Sequence, residues 1–318
     1  MEKPMESLIF SLNATIPIFL VIVLGYILMR IGFFTDGFVT IADKYVFKVA
    51  LPVLLFKQVA TADIHADFQW KFVIFCMVVT TVMFMGIWLA SRLFIKDKSI
   101  VGAFAQASAR GSAAILGIAF IENIYGSSGM GPLMIISAVP LYNIYSVIIL
   151  TFSAKDRAQG KGAIKQAFFN ILKNPIIIGI FLGLPFSIIG IPIPTIPLKA
   201  IISVAQTATP IALLVVGASF KGRAVISKVG PTVVATFMKL IGFPLIFLPM
   251  ALYMGFRKEA LIAIVIMVGA PTTVTSFIMA KNMGNDADLS AGVVVLSTLL
   301  SAFTLTGWVW LLRYMQWI

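Results

Sequence analysis

Gln106-Ala107-Ser108-Ala109-Arg110-Gly111-Ser112-Ala113-Ala114-Ile115-Leu116-Gly117 and, a fixed step of 158 positions later (269 minus 111), Gly269-Ala270-Pro271-Thr272-Thr273-Val274-Thr275-Ser276 decide how this chain folds. Each lies inside an apolar run long enough to cross a bilayer, and each is polar, small and prone to break a helix. The same step carries Pro17, Gly25 and Pro52 onto Pro175, Gly183 and Pro210. It also carries Pro17-Ile18 and Leu24-Gly25 onto Pro175-Ile176 and Leu182-Gly183. The chain reads as one membrane unit written twice, a plan on which many membrane carriers are built.

Composition outside these stretches agrees. Hydrophobic residues make up 60% of the 318 positions and charged residues 11%, where a soluble domain carries about 25% charged residues. A water-soluble fold is excluded. Cys76 is the only cysteine, so no internal disulfide forms, and its apolar surroundings make it a small buried hydrophobe. The net charge of +12 does not indicate nucleic acid, because the cations fall in short clusters between apolar runs and not in a basic stripe with interleaved aromatics.

Measured against the roughly 20 apolar residues that a helix needs to span the hydrocarbon core, ten segments emerge: 8–29, 39–61, 70–93, 100–121, 132–152, 174–191, 200–220, 231–254, 260–280 and 289–312. The start of the first, Glu2-Lys3-Pro4-Met5-Glu6, lacks a small-residue cleavage site downstream, so that segment reads as a retained helix. Five segments per half send the second copy through the membrane upside down. The expected fold is therefore an all-α polytopic membrane protein of ten transmembrane helices, arranged as two inverted five-helix repeats with broken, crossing helices 4 and 9. Residues 1–152 form the first repeat, 153–173 a basic link and 174–318 the second repeat. Arg30, Arg92, Lys96, Lys98, the link, Lys221, Arg223, Lys228 and Lys281 fall on one side, which the positive-inside rule makes cytoplasmic. Both termini are then expected outside a plasma (inner) membrane.

Helix breaks in lipid free backbone groups that must find partners in protein or in a wet cavity, so they point to sites. Arg110 stands about ten residues into its span, where an unpaired cation costs at least about 2.5 kcal/mol. It reads either as a ligand for a carboxylate or as a structural cation that caps broken-helix carbonyls or snorkels to the cytoplasmic surface. Lys239, about eight residues inside its segment, reads as near enough to the cytoplasmic edge to snorkel, with a role in the site as the alternative. Pro52 and Pro210 are expected as paired structural kinks framing the cavity. Gln58, Asn143 and Gln206 either line a path or stitch helices together, and Gly179 and Gly183 form a small-residue packing face. Asp43 and Glu122 are the only acids within spans, which favours potential-driven anion movement over a carboxylate proton relay, with Na⁺ on backbone carbonyls still open. The lone His65, beside Asp63 and Asp67, is expected solvated, and Asn13-Ala14-Thr15 is an accidental sequon. No nucleotide-binding or catalytic motif occurs, and neither cofactor nor metal is expected.

With these segments placed, the sequence resembles the auxin efflux carrier family, within the wider group of bile acid and arsenite transporters. The resemblance is carried by Leu51-Pro52-Val53-Leu54-Leu55-Phe56, Asn174-Pro175-Ile176-Ile177, Pro210-Ile211-Ala212-Leu213-Leu214-Val215-Val216-Gly217-Ala218, Ala270-Pro271-Thr272-Thr273-Val274 and the stretch from Ala280-Lys281-Asn282-Met283-Gly284 to Leu296-Ser297-Thr298-Leu299-Leu300-Ser301. It implies ten-helix carriers with a scaffold and a transport domain, whose fourth and ninth helices cross to form the substrate site. It also implies organic-anion transport: indole acetate in plants, malonate or malate in bacterial relatives. By position the crossover residues would be Gly111, Ser112, Pro271, Thr272 and Thr275. The chain departs from the family in its fourth span, where relatives often have an Asn and a Pro and this one has Gly111 and Ala119, with Arg110 added.

The sequence therefore predicts a secondary transporter of a small organic anion working by alternating access, not an enzyme. Its expected binding residues are Arg110, Gly111, Ser112, Pro271, Thr272, Thr273, Thr275, Gln58 and Asn143. Its expected partners are the anion and the lipid bilayer, and a homodimer is compatible with the sequence. A Na⁺- or H⁺-coupled symporter is the alternative, and a ligand-binding membrane sensor a more distant one, since nothing resembles an output domain.

Overall fold

The computed structural model describes residues 16–17, 20–61, 69–113, 121, 130–154, 168–169, 171–219 and 228–318. The Asn13 sequon, His65, Glu122, most of the basic link and the second half of the fourth segment lie outside them. The described residues are helical, with no strand beyond one isolated β-bridge. In chain order the helices are α1 (Leu20–Arg30), α2 (Asp36–Tyr45), α3 (Leu51–Ala60), α4 (Trp70–Phe94), α5 (Val101–Ala109), α6 (Gly131–Ser153) and α7 (Pro175–Ile189). There follow α8 (Thr195–Ala218), α9 (Val229–Phe237), α10 (Phe243–Tyr253), α11 (Lys258–Gly269), α12 (Thr275–Asn282) and α13 (Ala287–Tyr314).

Five of these stretches are long and apolar enough to cross a membrane: α4, α6, α8, the continuous run Val229–Tyr253, and α13. Two more, α1 and α7, are shorter apolar helices. The helix of the second expected span runs on without a break from Asp36 to Ala60 but is charged, carrying Asp36, Asp43, Lys44, Lys48 and Lys57.

Two helices widen into a π-turn just ahead of a proline. Val46–Ala50 joins α2 to α3 before Pro52, and Met238–Gly242 joins α9 to α10 before Pro244. A proline inside a helix has no N–H and crowds the carbonyl four residues back, and a wider turn relieves both. For Pro244 that carbonyl belongs to Leu240, and it accepts from the Trp308 indole at 3.0 Å. Pro210 lies within the unbroken α8, so the turn that accompanies Pro52 has no counterpart at its repeat mate.

Close backbone packing gathers one set of helices. A Cβ at Gly183 of α7 would stand 2.9 Å from the Phe56 carbonyl oxygen of α3, and one at Gly25 of α1 only 2.3 Å from the Leu214 carbonyl oxygen of α8. Only glycine admits these approaches. The 158-residue step maps Gly25 onto Gly183 and Phe56 onto Leu214, so the second contact is the first with the halves exchanged. Cys76 is buried in α4, as expected.

Candidate functional site

The ninth segment breaks where its sequence dictates. Pro271 cannot donate to the ladder and keeps the preceding residue out of helical space, and Ala270 is extended at φ −64°, ψ 150°. Helix resumes at Thr275. The fourth segment breaks without a proline: Arg110 closes the last turn of α5 through its N–H to Gln106 at 2.9 Å, then extends at φ −77°, ψ 113°. The two interruptions pair with each other. Gly111 bridges Thr272 in antiparallel fashion, and the Ser112 N–H donates to the Pro271 carbonyl at 2.8 Å.

The carbonyls freed at the ends of α5 and α11 need partners. The Thr272 hydroxyl donates to Ala107 at 2.7 Å, and its N–H donates to the Ser297 hydroxyl at 3.0 Å. The Tyr142 hydroxyl donates to Met267 at 2.7 Å. Lys239 serves both helices, its ammonium donating to Ala109 at 3.2 Å, Val268 at 3.1 Å and Met267 at 3.4 Å. The expectation that Lys239 snorkels is wrong. Its side chain is 0% exposed, because two carbonyl-bearing helix ends inside the protein outcompete the membrane edge. A Cβ at Gly111 would come within 2.8 Å of that nitrogen, so glycine here leaves the ammonium its place.

Arg110 turns to the other side. It is 5% exposed, and its guanidinium donates to the Asn143 side-chain oxygen at 2.6 Å, the Ser146 hydroxyl at 3.2 Å and the Met279 sulfur at 2.9 Å. Asn143 is itself oriented, its amide donating to Val139 at 2.8 Å so that its oxygen faces Arg110. Neither of the two ion pairs among the described residues involves Arg110; its partners are neutral dipoles.

Beside this guanidinium lies a cavity of about 50 Å³. A buried water needs about 10–15 Å³ of such space, so a few waters or a small anion fit. Of the nine expected binding residues, Arg110, Gly111, Ser112, Gln58, Asn143, Thr273 and Thr275 line it. Pro271 and Thr272 do not; their polar groups are engaged in the pairing of the two breaks. Tyr142 and Thr209 also line it and escaped the sequence reading, although each adjoins a residue already singled out, Asn143 and Pro210. Through Leu54 and Thr209 the cavity borders a larger one of about 380 Å³ that holds Gln206 and Lys57.

Asp43 stands apart from the cavity. It is 4% exposed, accepts from the Asn282 amide at 3.0 Å and lies 3.6 Å from the Lys281 ammonium. Lys281 also donates to Ser219 at 3.3 Å, so the C-terminal end of α12 is tied to both α2 and α8.

An apolar, multi-pass helical membrane protein whose two interrupted helices meet beside a small polar cavity has the makings of a membrane carrier. The chain belongs to the family described as Membrane transport protein, which matches residues 10–309 and is the family that the resemblance to auxin efflux carriers indicated. A protein of Rhizobium meliloti, named provisionally as a malonate transporter, is 24% identical over 307 residues, 94% of each chain. An uncharacterized transporter of Methanothermobacter thermautotrophicus is 22% identical over 304 residues, covering 94% of this chain and 97% of its own. The lysosomal cholesterol signaling protein of Mus musculus is 23% identical over 262 residues, 77% of this chain and 30% of the mouse protein.

Proposed function

We propose that this protein is a secondary carrier of a small mono- or dicarboxylate, malonate-like in size, bound beside Arg110 and released by alternating access across the plasma membrane. The observation that carries the reading is a guanidinium on the cavity wall whose hydrogen-bond partners among the described residues are all uncharged, so that its charge is available to an anion. The N-terminus of α12 opens at the same cavity through Thr273 and Thr275, and a helix N-terminus adds a partial positive charge of about 0.5. The Rhizobium relative's name agrees with a short dicarboxylate.

The ten-helix inverted repeat, with halves 1–152 and 174–318 around the link, is the frame we infer for this movement. The exchanged contacts Gly25–Leu214 and Gly183–Phe56 support a two-fold relation between the halves. Helices α1–α3, α7 and α8 would form a scaffold, and the remainder a moving body that carries the paired breaks. From the loop charges we infer that Lys281 and the Asp43 pair face the cytoplasm and both termini the outside.

The test is uptake of radiolabelled malonate into proteoliposomes under an imposed potential. Arg110→Gln removes a charge-assisted hydrogen bond worth about 1.5–3 kcal/mol, so apparent affinity should fall roughly 10- to 100-fold. Undiminished uptake by Arg110→Gln would overturn the assignment of this site.

A further inference from the structure

Lys239 is a buried cation that anion binding does not use, and it sits where two broken helices present their C-terminal ends. Those ends carry partial negative charge, and in transporters half-helix C-termini and unwound carbonyls are where coupling cations are held. Here three such carbonyls, Ala109 from α5 and Met267 and Val268 from α11, converge on one ammonium. The sequence supplies both sides of the fit. A π-turn places Lys239 on a membrane-spanning helix facing the crossing, and Gly111 withholds the Cβ that would collide with it. Neither described ion pair involves Lys239, so the carbonyl dipoles are its counter-charge.

We propose that the crossing is a monovalent-cation site whose resident occupant is the Lys239 ammonium. The carrier then needs no dissolved Na⁺ to neutralise its crossing helices. Deleting the side chain while leaving the space turns the place into a Na⁺ site, with water completing the ion's shell. The consequence for coupling rests on the carrier reading; the occupancy of the site does not.

The experiment therefore involves no substrate. Thermal unfolding of the purified full-length protein is followed in NaCl and in choline chloride at equal ionic strength. The natural protein should unfold at the same temperature in both. Lys239→Ala should unfold earlier in choline and recover with Na⁺ in a saturable way, by about 3 °C or more. Lys239→Met, which fills the space without a charge, should be destabilised and not recover. A saturable Na⁺ stabilisation of the natural protein would overturn the proposal. So would indifference of Lys239→Ala to Na⁺, recovery of both variants alike, or failure of Lys239→Ala to fold even in saturating Na⁺. Malonate uptake by the natural protein should be equal in the two salts, and failure of transport altogether would count against the carrier reading while leaving the thermal comparison intact.

Discussion

At the residue scale, the anion-binding role proposed for Arg110 rests on what surrounds it. Asn143 presents a neutral oxygen at 2.6 Å, which fixes the guanidinium without cancelling its charge. Asn143→Asp replaces that oxygen with a carboxylate of nearly the same shape, and the resulting buried pair satisfies Arg110 internally. The variant should fold with an unlowered unfolding midpoint yet lose at least about tenfold in malonate affinity, as the field at the cavity collapses. Malonate-induced thermal shift measures both quantities in one titration. The place of Arg110 at the break was legible in the sequence, because an arginine among Ala and Ser deep in an apolar run is costly there, although capping or snorkelling read almost as well as a site role. Lys239 was not. Its depth in the segment can be counted, but in a helix apolar on all sides no periodicity reveals which face it occupies, and the amine's three partners come from segments 28 to 130 residues away.

At the element scale, the two breaks show how differently a sequence can write the same event. Ala270-Pro271 announces its break through the ring itself. Around Arg110-Gly111-Ser112, flanking alanines favour helix, and only tertiary partners make the interruption hold: Lys239 and Thr272 take carbonyls of α5, and Pro271 takes the Ser112 N–H. Thr272 thus acts as a strut here, and its effect should appear in stability. Thr272→Val leaves the Ala107 carbonyl buried without that donor, at a cost of about 1–3 kcal/mol, whereas Thr272→Ser keeps the hydroxyl and should remain close to the natural protein. The unfolding midpoint should separate the two variants, while malonate affinity, normalised to folded protein, stays within about threefold for both. The π-turn before Pro244 went unread for a related reason: the relief of the Leu240 carbonyl depends on Trp308, another segment's side chain.

At the scale of the whole molecule, the ties among the described residues are unevenly distributed, and on the proposed function that asymmetry predicts which way the carrier faces. Asp43 on α2 and Ser219 at the end of α8 hold Lys281 and Asn282 of α12, binding the inferred scaffold to the moving body on one side of the cavity. The larger cavity holding Gln206 and Lys57 lies along α3 beyond Leu54, towards the end opposite Asp43. Under the proposed alternating-access cycle, a molecule latched at one face and hollow towards the other is a carrier halted in one of its two states. Asp43→Asn removes the charge while keeping a group that can meet the Asn282 amide. With Lys281 about one-third exposed, solvent screening limits the loss to about 1 kcal/mol, roughly fivefold in the ratio of the two states. Cys76 is buried and native to the chain, so a cysteine placed at Gln206 reports on the larger cavity. Its reaction with an impermeant thiol reagent added outside should slow severalfold in Asp43→Asn, because the cavity-open state loses population when its latch is weakened. Lys281→Ala should slow it comparably. Unchanged labelling in both variants would mean that the pair only staples helix ends together and sets no balance between the two faces.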